Sequence, residues 1–288
     1  MGRRAVMVGA VLALVAVPVA CSRGGDRSAE VEGTVVTVPE EDQRATRTSE
    51  RTYAGLRTLV VRPTGPGSWP LVVFVHGAGA PPDLYAGLLE DLAAEGHVVV
   101  APAMPGSVDD AGMAALFSLP FQPARISQVI DAVTGGPNAI RAVAPDRVAV
   151  VGHSLGAMAA LATAYHSCCT DPRVDAVVSV AGRLASFPNG LYHAGSVPLL
   201  LVHGAADDVV AYAGSRQALN TVGTTAFLLT VEEGDHGSYL DPDDEAHPAV
   251  RDALVAFLRA TAGGEPRAGF ADLVAAGNGP GVRLGQRT

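Results

Sequence analysis

The sequence predicts an α/β fold, a mostly parallel central sheet with helices on both faces. Three observations carry that expectation. Apolar runs such as "LVVFV" at 71–75 and "LLLV" at 199–202 lack polar alternation, as strands buried on both faces do. Segments of helical spacing lie between these runs, and strands alternating with helices through short loops favour parallel pairing. No repeat or change of composition interrupts residues 53–262, so that span reads as one domain.

In chain order, strands are expected at Leu56–Arg62 and Pro70–His76. A helix follows over Asp83–Glu95, with Leu84, Leu88, Leu89 and Leu92 on one stripe and Gly96 as its stop. His97–Ala101 is a strand ended by Pro102, and Ala124–Val133 is a helix. Strand Arg147–Val151 runs into helix Leu155–His166, and strands Val174–Val180 and Pro198–His203 follow. Helix Tyr212–Thr221, strand Ala226–Val231 and helix Pro248–Thr261 complete the series. Residues 263–288 are Gly- and Arg-rich and read as a C-terminal arm with one short helix near Ala271–Ala275.

The N-terminus differs in character. Arg3 and Arg4 precede an uncharged Val/Ala/Leu-rich run from Ala5 to Ser22, the pattern of a secretory leader spanning 1–21; an uncleaved membrane anchor is the rival. "PVACS" allows Cys21 to be an acylated lipoprotein cysteine, although Pro18 stands where such boxes carry Leu; ordinary cleavage near Cys21 is the alternative. Residues 22–52 form a polar tether passing into an irregular or edge-strand segment. Cys168 and Cys169 are adjacent, and either a vicinal disulfide or two buried thiols fits an exported chain.

The chain carries 20 basic residues, all Arg, against 29 acidic ones, and the loss of Arg3 and Arg4 would take its charge from −9 to −11. With no basic patch, nucleic acid is excluded as a partner, and a membrane enters only through an N-terminal lipid anchor.

"GHSLG" at 152–156 sits between a strand and a helix. Gly152 and Gly156 let the turn close, and the turn lifts the Ser154 hydroxyl above the sheet edge at a helix N-terminus. A serine needs a base, and the base an orienting acid. "PLLLVHGAADD" places Asp207, with Asp208 as competitor, just past one later strand, and "FLLTVEEGDHGSY" places His236 past the next. Both fall at the sheet's carboxyl edge, on the side of Ser154. Asp235 adjoins His236 and is expected to be a solvated loop charge. His97, His166, His193 and His247 are expected in solvent or at helix ends, His153 fills a variable position, and His76 and His203 make structural hydrogen bonds. The turn in "FVHGAGAPP" offers the amide of Ala78 to an oxyanion, and Leu155 offers the second.

These stretches, with "GHVVVAPAMPGS", resemble the α/β-hydrolase superfamily. Within it they resemble the lidless dienelactone-hydrolase-like, chlorophyllase-like and bacterial platelet-activating-factor-acetylhydrolase-like serine esterases, over roughly residues 56–262. The resemblance implies an α/β-hydrolase fold, a triad of Ser154, Asp207 and His236, and oxyanion amides at Ala78 and Leu155, with no cofactor or metal. Dienelactone hydrolases themselves carry cysteine where this chain has Ser154, so their substrate does not transfer.

About 17 residues separate Val180 from Pro198, too few for a helical lid, which leaves an open cleft lined by Leu184, Phe187, Leu191 and Tyr192. The expected substrate is a small or accessible polymeric carboxylic ester. A peptidase or amidase, a cutinase-like polyesterase and a catalytically silent binding protein are the rivals. The single Trp69 lies before a strand on the opposite edge, against a polyester clamp, and the acids of "DPDDEAHP" at 241–248 precede a helix, where its dipole favours them.

Overall fold

The computed structural model describes residues 45–109, 112–222 and 225–286; the leader and Cys21 lie outside them. Nine strands form one sheet in the order β1-β2-β4-β3-β5-β6-β7-β8-β9. They are β1 (Thr46–Tyr53), β2 (Leu56–Pro63), β3 (Trp69–Val75), β4 (Val98–Pro102), β5 (Val143–His153), β6 (Val174–Val180), β7 (Leu199–Gly204), β8 (Ala226–Val231) and β9 (Val282–Gln286). β4, β3, β5, β6, β7 and β8 pair in parallel, whereas β1–β2, β2–β4 and β8–β9 pair antiparallel.

The helices are α1 (Ala86–Ala94), α2 (Met113–Ser118), α3 (Gln122–Thr134), α4 (Leu155–Tyr165), α5 (Ala213–Thr221), α6 (His247–Ala260) and α7 (Pro266–Ala276). Successive β3 side chains alternate between the two layers: Leu71, Val73 and Val75 meet Ile126 and Ile130 of α3 and Leu161 of α4 in one core. Val72 and Phe74 join Leu88 and Leu92 of α1 and Leu254 of α6 in the other. Both faces are dry, which is why these strands read as unbroken apolar runs.

The edge-strand alternative for the end of the tether holds, whereas α2 and much of the C-terminal arm depart from the expectation. The tether ends in a regular strand, β1, which turns into β2 through Ala54 and Gly55, both at positive φ as a tight hairpin turn requires. Only Tyr53 of β1 is buried, and a polar edge strand leaves little apolar pattern. The short α2 follows a loop and was not expected. The arm beyond Gly263 folds back as α7, which packs Leu273 into the core of α6, and as β9, which pairs with β8 and covers that edge.

Candidate active site

The strand-to-helix turn between β5 and α4 is strained at one residue. Ser154 has φ +55 and ψ −117, a conformation that non-glycine residues rarely adopt. Its amide donates to Val180 O at 2.9 Å. The glycines on either side allow the close approach: a Cβ on Gly152 would meet the backbone of Gly156, and one on Gly156 would meet the carbonyls of Val75 and His76. Steric necessity therefore accounts for both.

β7 and β8 end beside this turn and bring in the other two side chains. The Ser154 hydroxyl donates to His236 Nε2 at 2.8 Å, and His236 Nδ1–H donates to Asp207 Oδ2 at 2.8 Å. The Asp207 side chain is fully enclosed. Its Oδ1 accepts the amides of Val209 and Val210 at 2.9 and 2.8 Å, and His203 Nε2 approaches Oδ2 at 3.1 Å. Burial would raise the Asp207 pKa, but hydrogen bonds from His236 and the Val210 and Val209 amides together hold the carboxyl below its usual range. Asp208 is exposed and makes no bond to this network. The arrangement can pass a proton from hydroxyl to imidazole while a carboxylate fixes the ring's tautomer.

Backbone amides remain free beside it. In the turn after β3, Gly77 N–H donates to Tyr85 Oη at 3.2 Å, Gly79 N–H to Ser107 O at 2.7 Å and Ala80 N–H to Gly77 O at 3.4 Å. Among the described residues the amides of Ala78 and Leu155 have no acceptor, and Leu155 opens α4, where the helix dipole adds to its pull on an anion. Both positions expected to face an oxyanion are thus unspent, as are the next amides of the first turn of α4, those of Gly156 and Ala157.

The chlorophyllase family model matches residues 32–183, more than half of the 288-residue chain, and the TAP-like α/β-hydrolase model matches residues 159–269. The chain belongs to the chlorophyllase family of α/β hydrolases. No curated protein matches it significantly. In this hydrolase the two matched spans between them contain Ser154 and both downstream partners.

Several supporting residues of the hydrolase were not visible from sequence. His153, read as a variable position, donates through Nε2 to the carbonyl of His236 at 2.7 Å and accepts at Nδ1 from Tyr85 Oη at 2.8 Å. His203 makes the structural bonds expected, to Val210 O and Ser215, but also touches the acid. Asp235 is the exposed loop charge expected, and its Oδ1 also accepts the amides of Gly237 and Ser238, which shapes the loop carrying His236 and lowers its pKa. His76 donates to Gly77 O and accepts the Met104 amide, as a purely structural ring.

Other expectations need correction. His166 and His247 sit at helix ends and His193 is exposed, but His97 is buried at the start of β4, donating to Leu92 O. Phe187 and Tyr192 do not line a cleft at Ser154. They pack against His166 at the far end of α4, with ring centroids 5.4 and 4.8 Å away, and an 11-residue helix separates that end from Ser154. Cys168 and Cys169 form the vicinal disulfide, with His166 Nδ1 3.1 Å from Cys168 Sγ. In the 241–248 segment, Asp241 and Asp244 accept the amides of Asp243 and Ala246, a turn leading into α6.

Proposed function

We propose that this hydrolase cleaves carboxylic esters through an acyl-enzyme on Ser154. The observation that carries the proposal is the unbroken chain Ser154 Oγ, His236, Asp207, at 2.8 Å for both contacts, beside two unpaired amides. Ser154 Oγ attacks the ester carbonyl as its proton passes to His236 Nε2. The amides of Ala78 and Leu155 receive the oxyanion, and collapse expels the alcohol, protonated by His236. Water, deprotonated by the same imidazole, then releases the acid and restores the serine.

Ser107 joins the turn after β3 to the region around α2 and α3, its carbonyl accepting the Gly79 amide and its hydroxyl the Gln122 side chain. Ala115 and Leu119 pack into the same core as Leu155 and Met158, while Met113, Leu116, Phe117 and Phe121 stay exposed. This favours esters with an apolar acyl or alcohol group. The leader-like N-terminus and the disulfide favour an exported enzyme, and mass spectrometry of the mature N-terminus tests whether it begins at Cys21.

Ser154→Ala should lower turnover of a chromogenic ester by ~10⁴–10⁶ while leaving the thermal transition unchanged. Retained turnover in that variant would remove the assignment. An acetate-to-octanoate series on the same chromophore should show kcat/KM rising with acyl length. Faster cleavage of matched amides would instead favour the peptidase alternative.

A further inference from the structure

We infer that Tyr85 and His153 are positioning residues that lock the oxyanion turn to the base loop, an inference that rests on the Ser154–His236–Asp207 assignment above. The hydrogen bonds admit one protonation pattern. His153 Nε2 faces the His236 carbonyl at 2.7 Å, which can only accept, so Nε2 carries the proton. Nδ1 then holds a lone pair and must accept the Tyr85 O–H, 2.8 Å away. The Tyr85 oxygen in turn accepts the Gly77 amide at 3.2 Å. Every donor is used once, and every acceptor is filled.

The groups are held in the forms this pattern needs. Burial pushes Tyr85 up to about 12, so its hydroxyl stays protonated, and pushes His153 down to about 4, so its ring stays neutral. The Tyr85 ring rests on Phe74 of β3 at 4.7 Å between centroids, and the His153 and His236 rings lie 5.1 Å apart. Space is tight at both ends. A Cβ on Gly77 would sit 3.1 Å from His153 Nδ1, and one on Gly237 would sit 2.7 Å from His153 Nε2.

The consequence lies at the two termini of this chain. Gly77 immediately precedes Ala78, whose amide has no acceptor among the described residues and is assigned above to the oxyanion, and the His236 carbonyl belongs to the base itself. The Gly77 amide, spent on Tyr85, is withdrawn from the hole, which leaves Ala78 as the donor from that turn. One tyrosine and one histidine, 68 residues apart, thus set the spacing between the oxyanion donor and the imidazole.

The test compares Tyr85→Phe, His153→Leu, His153→Gln and the Tyr85→Phe/His153→Leu pair on one soluble chromogenic ester, with Ser154→Ala as reference. Misplacing a reacting group by about 1 Å costs on the order of 10²-fold, so Tyr85→Phe and His153→Leu should each lower kcat ~10–100-fold with KM within about twofold. Glutamine can place its amide nitrogen where Nε2 stood and donate to the His236 carbonyl, so His153→Gln should regain at least about tenfold over His153→Leu. The pair should fall no more than about threefold below His153→Leu alone, because both changes break one relay. Tyr85→Phe keeps the ring on Phe74, so a folding failure in His153→Leu leaves the test standing. If Ser154→Ala is inactive while Tyr85→Phe and His153→Leu keep kcat within about twofold, or if glutamine is no better than leucine, the positioning role is overturned and the nucleophile assignment survives. Activity in Ser154→Ala would mark failure of the assignment itself.

Discussion

Replacing Asp207 by asparagine tests the site at its most constrained atom. Asp207 Oδ1 accepts two amides, from Val209 and Val210, so an asparagine must place its carbonyl oxygen there. Its NH₂ group is then forced toward His236 Nδ1 and His203 Nε2, which the native Oδ2 meets at 2.8 and 3.1 Å. His236 can satisfy that NH₂ only by turning Nδ1 into an acceptor, and its proton moves to Nε2, facing Ser154. The base then has no lone pair for the hydroxyl. A ring locked in the wrong tautomer costs ~10³–10⁴ in kcat, about 4–5 kcal/mol of barrier. Both amide bonds persist, so the loss of stability should be only about 1–3 kcal/mol, from the charge-assisted bond alone. Steady-state turnover and labelling by a fluorophosphonate measure the first loss, and thermal melting measures the second. Asp208→Asn, at an exposed position, should stay within about twofold. A loss below about tenfold in Asp207→Asn, or an equal loss in Asp208→Asn, would refute the reasoning.

Gly156→Ala drives a methyl into the carbonyls of Val75 and His76 and should cost ~1–3 kcal/mol or more, read as a lower thermal midpoint, while Gly65→Ala, with open space around it, should be neutral; equal midpoints would contradict the close approach. Acid should destabilise the fold between about pH 6.5 and 4. Burial pushes His97 and His153 down to about 4, so as pH falls below 6.5 the unfolded chain protonates first and stability is lost until the folded rings also titrate. At about 1.4 kcal/mol per pH unit, each contributes at most ~3 kcal/mol. Urea midpoints at pH 7, 5.5 and 4.5 measure it, and an unchanged midpoint at pH 4.5 would contradict it. Below about pH 4, Asp207 and Asp171 add a further loss, because both carboxyls are held below their usual range in the folded state.

What the sequence disclosed follows from where free energy concentrates. Strands β3 to β8 sit between two apolar layers, so burial wrote them as apolar runs. β1 and β9 hold their place through backbone pairing at the edges, and pairing leaves little residue signature, so β1 is legible only as one of two alternatives and β9 not at all. At the site, Ser154, Asp207 and His236 were legible because each lies in the first turn beyond a parallel strand, where the sheet's polarity alone assigns the edge. Tyr85 and His153 were not. Their contact spans 68 residues, and a tyrosine eight positions past Gly77 belongs to no period or motif. Asp235 reads correctly as an exposed loop charge that does not serve the imidazole, but its partners are backbone amides that sequence does not display.

Asp207 lies between two serine–histidine pairs, and the choice between them rests on the structure rather than the motif. Ser215 Oγ is 2.7 Å from His203 Nδ1, and His203 Nε2 is 3.1 Å from Asp207, so Ser215, His203 and Asp207 also form a connected set. Ser215 and His203 are fully buried, and the Ser215 amide is spent on Tyr212 O within α5. The His203 ring gives its other nitrogen to the Val210 carbonyl, so its proton is already committed. His76 and His153 likewise bind protein groups through both nitrogens. Only His236 directs a nitrogen at a hydroxyl that is itself partly exposed, on a residue at positive φ whose neighbour offers a free amide. Access, strain and an unspent donor coincide at Ser154 and not at Ser215, and Asp207 therefore serves the ring that is partly exposed.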